Sequence, residues 1–321
     1  MRYTAAEKME IIQLVEGSEL SAKRTLKEIG VPTSTYYRWY DKYLSGGIDL
    51  LEDRKHSTSW NKIPDEYRAK VIEVALERTA DSPRILATYM TDNEGHFISE
   101  SSVYRILKSA GLITSPNHIL LSANKEFKDK TTRAHQMWQT DFTYFKVEGW
   151  GWFYLSSIMD DYSRYIIHHE LCSTMTTPDV KRNVNAALKK TALGRHERPK
   201  ILSDNGPCYI SNEIKEYMSS ENIMQVHGAP MHPQTQGKIE RYHRSMKNVV
   251  KLEHYYLFED LKRAIDEFVA YYNNERYHES LENCTPADVL FGRQSNILKQ
   301  RDMIKKKSMK TRRLKHYQKT A

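Results

Sequence analysis

Three carboxylates in this chain sit where local pattern gives an acid little reason to be. Asp141 falls inside an alternating, aromatic-rich stretch, flanked by Trp138, Phe142 and Tyr144. Asp204 closes a short run, Lys200-Ile201-Leu202-Ser203, before Asn205-Gly206. Glu240 lies in the first turn of a long helical pattern, with 35 residues between it and Asp204. An acid inside a strand is either buried and paired or part of a site. Three carboxylates gathered within a few ångström repel; each pair at ~4 Å costs about 4 kcal/mol in an effective dielectric of ~20. A divalent ion relieves that cost, and oxygen-only ligands favour Mg²⁺, with Mn²⁺ as substitute, over zinc. Two such ions ~3.5–4 Å apart can activate an attacking oxygen and stabilise the leaving oxygen of an in-line displacement. The chemistry expected is therefore phosphoryl transfer, driven by position and charge rather than by a covalent nucleophile.

The helix that carries Glu240 supplies bases on the same side. Residues at i+4, i+7 and i+11 return to roughly one helix face. Here they are Arg244, Lys247 and Lys251, candidates for contact with a DNA backbone running past the acids. Upstream, His232-Pro233-Gln234-Thr235-Gln236-Gly237 reads as a polar loop with a glycine hinge. His227 and His232 lack the Cys partners or His-x3-His spacing of a metal site. They read as loop structure or DNA contact.

The surrounding elements must bring these acids together. Residues 137–147, 152–159 and 165–171 read as three strands of an antiparallel meander, with Gly149 and Gly151 at a turn. Pro178 to Ala192 reads as a helix, 200–203 as a fourth strand, 211–221 as a helix and 223–227 as a fifth strand. The long helix spans about Gly237 to Lys251, and further helical segments lie at 258–274 and from Thr285-Pro286. The order predicts a mixed α/β domain with a three-strand antiparallel edge. Asp141 and Asp204 become neighbours only if the first and fourth strands are adjacent.

The N-terminal part has a different texture. Thr4-x-x-Glu7 is a capping-box pattern before a helical repeat of Met9, Ile12 and Val15. A second short helix stops at Gly30, and a third starts at Thr33 or Ser34. Two short helices around a glycine turn make a helix-turn-helix signature, whose third helix would lie in the major groove. Tyr36, Arg38 and Lys42 are the candidate DNA contacts, with Tyr37 and Trp39 expected to pack inward. A second such unit begins near Pro64 and ends at Gly111, with Arg105 and Lys108 as phosphate contacts. The expected organisation is helix-turn-helix units at 1–47 and 60–113, a linker at 114–135, a catalytic core at 136–252, a helical extension at 253–298 and a basic tail at 299–321.

The net charge of +8 comes from that tail, which holds 10 Lys/Arg against one acid. It reads as a polyanion-binding arm. The three cysteines, an odd number at wide spacing, exclude a disulfide framework and a Cys-rich zinc finger. No apolar run reaches membrane-spanning length, and no secretory signal opens the chain. A cytoplasmic, nucleoid-associated protein without a membrane partner is expected.

The short motifs, taken in order, resemble bacterial insertion-sequence transposases of the retroviral-integrase-like Asp-Asp-Glu superfamily. The matching pieces are Trp138-Gln139-Thr140-Asp141, Asp160-Asp161-Tyr162-Ser163-Arg164-Tyr165, Ser203-Asp204-Asn205-Gly206 and His232 through Arg241. Lys247, then Tyr272 through Leu281 and Thr285-Pro286-Ala287, extend the match. The resemblance implies a ribonuclease-H-like core with Asp141, Asp204 and Glu240 as catalytic metal ligands for two Mg²⁺ ions. It implies cutting at the ends of a mobile element and joining of the 3′-hydroxyl to DNA. The helix-turn-helix units would recognise the terminal inverted repeats of double-stranded DNA, and pairing of two ends implies a homo-multimer. Asp160 and Asp161 match a family motif outside the triad, Gln236 departs from the usual residue before the loop glycine, and no zinc module is present. The rival readings are a metal-dependent nuclease without strand transfer and a DNA-binding regulator with an inactive core.

Overall fold

Helix α1 (Ala5–Glu16) begins where Thr4 and Glu7 close a capping box. The Glu7 amide donates to Thr4 Oγ1 at 3.3 Å and the Thr4 amide to Glu7 Oε2 at 2.7 Å. The computed structural model describes residues 3–52, 59–113, 131–147, 149–227, 236–250, 255 and 257–320. The chain divides into two compact units, Met1–Lys62 with Lys315–Ala321, and Ile63–Leu314.

In the first unit α2 (Ala22–Glu28) and α3 (Thr33–Gly46) follow α1. Gly30 turns the chain between them at φ +71°, a left-handed conformation that costs glycine no Cβ clash. Ile12, Leu26, Val31, Tyr36, Trp39 and Leu51 form the core. This corrects the expectation for Tyr36, which is 3% exposed, whereas Tyr37 is 49% exposed. Tyr36 and Trp39 are three residues apart and share the inward face of α3; Tyr37 is rotated by about 100° from that face. Arg38 and Lys42 are exposed on α3.

The second unit opens with α4 (Asp65–Glu77), α5 (Pro83–Asp92) and α6 (Glu100–Ser109). Pro64 lies just before α4, where its missing N–H costs nothing. Val71, Leu86, Met90, Val103 and Ile106 pack the three helices together. Arg105 and Lys108 stay exposed on α6. Residues 114–130 of the expected linker lie outside the described residues.

Strands β1 (Met137–Val147), β2 (Gly151–Asp160) and β3 (Ile166–Cys172) form the antiparallel meander. Helix α7 (Thr177–Thr191) leads to β4 (Lys200–Ser203), which pairs parallel to β1. Helices α8 (Pro207–Ile210) and α9 (Asn212–Ser220) lead to β5 (Gln225–His227), parallel to β4. The order is β3-β2-β1-β4-β5. Helices α10 (Gly237–Val250) and α11 (Phe258–Asn274) cover one face of the sheet. There Phe145, Val147 and Leu155 meet Ile239, Met246 and Ile265. On the other face Trp138, Ile158 and Ile167 meet Val184, Ile214 and Met218. Alternate strand residues point to opposite faces, so Asp141, in step with Phe145 and Val147, belongs to the α10 face. The N-terminal helical units and this mixed sheet are the architecture expected for a ribonuclease-H-like chain.

Helices α12 (Pro286–Leu290) and α13 (Gln294–Thr320) complete the described chain. The basic segment from 299 is thus helical through Thr320 and continuous with the extension before it. Within the second unit its inner face is held by polar contacts. Arg301 Nη2 lies 2.7 Å from Asp92 Oδ2, the Phe97 amide donates to Ser308 Oγ at 3.0 Å, and Arg312 reaches the Phe97 carbonyl. Lys305, Lys306, Lys307 and Lys310 remain exposed. No helix among the described residues is long and apolar enough to cross a membrane.

Candidate active site

The ladder between β1 and β4 sets the site. Met137, Trp138 and Gln139 pair with Lys200, Ile201 and Leu202. The ladder ends there, and continued by two residues its parallel register would set Asp204 opposite Asp141. Beyond Gln139, β1 pairs only with β2 among the described residues. Its second half is therefore an open edge. Asp141, Glu240, His243, Arg244, Lys247 and Tyr144 line a pocket of about 720 Å³ along that edge. Asp204 does not line it, yet its charge acts on the same neighbours as Asp141. Burial pushes the Cys208 thiol up to about 11, and Asp204 and then Asp141 add to the rise. Burial likewise lifts Tyr209 well above its ordinary range, with both aspartates contributing.

Each aspartate already has a donor. The Asp141 carboxylate accepts from the Phe142 amide at 2.8 Å, and its Oδ2 lies 3.3 Å from His243 Nδ1. His243 Nε2 lies 3.3 Å from Ser157 Oγ, and Ser157 is the residue opposite Asp141 across the β1–β2 ladder. The buried imidazole thus spans the pair. Asp204 Oδ1 accepts from the Gly206 amide at 3.0 Å. A Cβ on Gly206 would stand 3.0 Å from Asp204 Oδ1 and 3.3 Å from Oδ2, so a larger residue there would make this carboxylate shift by a few tenths of an ångström. Glu240 is exposed in the first turn of α10. In kind, the carboxylates of Asp141 and Glu240 at an open polar pocket, with Asp204 exposed outside its lining, suit a hard cation with retained waters. Among the described residues, however, no three His, Cys, Asp or Glu side chains are close enough to hold an ion as they stand.

A buried network anchors the start of α10. Gln139, two residues before Asp141, accepts from the Ile239 amide at 3.2 Å and donates to Asp161 Oδ1 at 2.7 Å. Lys238 Nζ donates to Asp161 Oδ2 at 2.8 Å and to the Asp161 carbonyl at 2.9 Å. Thr131 Oγ1 adds a bond to Asp161 at 2.6 Å. The neighbouring Asp160 accepts from Ser163 Oγ at 2.6 Å, the Ser163 amide at 2.8 Å and the His135 amide at 2.8 Å. These two aspartates hold the turn after β2 and tie the sheet to the helix bearing Glu240.

Arg244 and Lys247 border the pocket, as their spacing from Glu240 implies. Lys251 and His232 lie outside the described residues. His227, at the end of β5, has Nδ1 3.3 Å from the Asp204 carbonyl. His243 and Ser157 were not singled out by pattern, and Gln139 and Lys238 fell inside matching motifs without being given a role. For His243 the available signal was its i+3 step from Glu240, which puts both on one face of α10.

Comparison with known proteins gives concordant matches. Residues 131–233 and 221–286 match integrase core domain families, and residues 2–52 and 35–107 match homeodomain-like domain families. The chain is 25% identical over 252 residues to the transposase assigned to insertion sequence element IS150 of Escherichia coli K12, covering 70% of this chain and 84% of that protein. It is 26% identical over 282 residues to a 31 kDa protein of insertion element IS600 of Shigella sonnei, covering 80% of this chain and 94% of that protein. Among solved structures, the HTLV-2 integrase catalytic core in complex with magnesium aligns at 21% identity and a TM-score of 0.38, over 49% of this chain and 97% of that one.

Proposed function

We propose, for a chain that carries an integrase core behind homeodomain-like units and is homologous to insertion-sequence transposases, that it is a DNA transposase acting through Asp141, Asp204 and Glu240. It binds the terminal inverted repeats of its element, cleaves the element ends and joins the freed 3′-hydroxyl to DNA. The observation that carries this reading is the parallel β1–β4 register, which ends two residues before both Asp141 and Asp204, with Glu240 lining the same pocket as Asp141. The three carboxylates would hold divalent ions, Mg²⁺ or Mn²⁺, two per site; when bound, these supply positive charge at the attacking and leaving oxygens. His243 orients Asp141 through Nδ1, and the Gly206 amide orients Asp204. The Gln139–Asp161–Lys238 network fixes the first turn of α10, and so the root of Glu240.

Arg244 and Lys247 would bind phosphates next to the scissile bond, adding position and salt dependence rather than sequence choice. Sequence choice falls to the helical units. Arg38 and Lys42 on α3, and Arg105 and Lys108 on α6, are the exposed bases suited to the groove and its phosphates. Two element ends require at least two such chains, so a homo-multimer on DNA is part of the reading.

The test is incubation of the full chain with labelled element-end duplex and Mg²⁺ or Mn²⁺, scoring nicked and joined products. Wild type should yield both, and Asp204→Asn should bind the ends yet yield neither. Nicks without joints would reduce the protein to a nuclease; binding without either product would make it a regulator.

A further inference from the structure

The hairpin beside the acids exposes more aromatic surface than its packing requires. Tyr144 is 53% exposed, Trp152 54% and Trp150 61%. Isolated exposed aromatics are ordinary, but a cluster at a functional pocket marks a binding surface. Tyr144 and Trp152 meet edge to face, with ring centroids 5.4 Å apart and planes at 73°. Lys247 Nζ lies 4.3 Å from the Tyr144 ring centroid. Tyr144 lines the same pocket as Asp141 and Glu240, at the open edge of β1.

We propose that Tyr144, braced by Trp152 and flanked by Lys247, is a stacking site for an unpaired base of the DNA held at the acids. The chemistry of the pair matches the two parts of a nucleotide. An ammonium takes a phosphate and an aromatic face takes a base, the combination used on single-stranded nucleic acid. The edge contact and the cation also hold the ring in one orientation before anything binds, which lowers the ordering cost. A base inside a duplex has both faces covered by its neighbours, and a terminal pair leaves only one open. A nucleotide unpaired at a frayed or newly cut end has a free face and a backbone able to turn its phosphate toward Lys247, and it is the occupant assigned here. A protein partner fits less well, because Glu240, Arg244 and Lys247 make this pocket strongly charged, whereas the centre of a protein interface is depleted in charge.

This inference deepens the transposase reading and rests on it, so its test separates the two. The full chain in an Asp204→Asn background, with Ca²⁺ present, is titrated with two element-end duplexes carrying 2-aminopurine at the terminus. One duplex is fully paired and the other has a three-nucleotide single-stranded end. Binding of the second should quench the probe. Tyr144→Ala should abolish the quench and weaken binding of that duplex by roughly tenfold, with the paired duplex unaffected. Tyr144→Phe keeps the ring and should behave as the parent; Trp152→Ala should give a smaller loss. Unchanged affinity for the single-stranded end in Tyr144→Ala overturns the site, as does an equal loss on both duplexes. Sedimentation of the same variants supplies the remaining outcome: a lost multimer with unaltered DNA affinity assigns the aromatic hairpin to a protein contact and overturns the proposal. Failure of the transposase reading is seen independently, as absent cleavage by the wild-type chain with Mg²⁺.

Discussion

Two groups of acids belong to the same α/β unit and differ in almost every physical respect. Asp160 and Asp161 are buried, and each accepts several hydrogen bonds from the protein. Asp204 and Glu240 are exposed, and Asp141 is half-buried at the rim of an open pocket. Residue type does not separate the two groups; Asp160-Asp161 is as acidic a pair as any in the chain. Their donors do. Carboxylates surrounded by protein donors serve the fold, whereas those left with open lone pairs at a pocket are available to something the chain must bind.

Substitution should break the two groups in opposite ways. The largest expected effect is on chemistry: Asp141→Asn or Glu240→Gln should lower strand cleavage by about 10³-fold or more, while unfolding free energy stays within about 1 kcal/mol. Gel-based cleavage and denaturant titration on one preparation measure both. A large stability loss in either variant would move that residue into the structural group. Next is Asp161→Ala, which leaves Lys238 without its carboxylate and Gln139 without an acceptor. It should cost about 2–3 kcal/mol in unfolding, and cleavage should fall with it because the root of α10 loosens. Intact stability would show that the network is dispensable.

The smallest effect concerns one further acid, outside both groups. Asp179 caps α7. Burial alone would raise its carboxyl, but bonds from Thr176 and Thr174 and the Arg182 guanidinium hold it down at about 2. A depressed acid stabilises the fold above its unfolded value of 3.8 and loses that contribution as pH falls toward about 2. The stability advantage of wild type over Asp179→Ala should therefore be level above pH 5 and shrink through that window. An advantage independent of pH would mean that the side chain acts by packing alone.

How much of this was legible depended on the range of the interaction. The strand holding Asp141 was readable because its aromatics alternate and glycines end it. The capping box at Thr4 and the bases on the Glu240 face were readable because each lies within a few turns of helix. The adjacent tyrosines were assigned to the wrong faces: Tyr36 and Tyr37 offer two phases for one helix, and only the packing of Tyr36 with Trp39 and Leu51 selects between them. The role of His243 depends on Ser157, 86 residues away, and that of Lys238 on Asp161, 77 residues away. No local period records such pairs. The basic C-terminal segment read as a charge run because its inner face, through Arg301, Ser308 and Arg312, packs by hydrogen bonds instead of apolar side chains.

Three acids distant in the chain should share the bound divalent ions, and Mn²⁺ binding reads that out without any DNA chemistry. Electron paramagnetic resonance titration of the full chain should give saturable Mn²⁺ binding that weakens by at least about tenfold in each of Asp141→Asn, Asp204→Asn and Glu240→Gln. Substitution of the exposed Asp266 should leave it unchanged. Equal Mn²⁺ affinity in wild type and in any one of the three triad variants would show that the residue changed does not hold the ion.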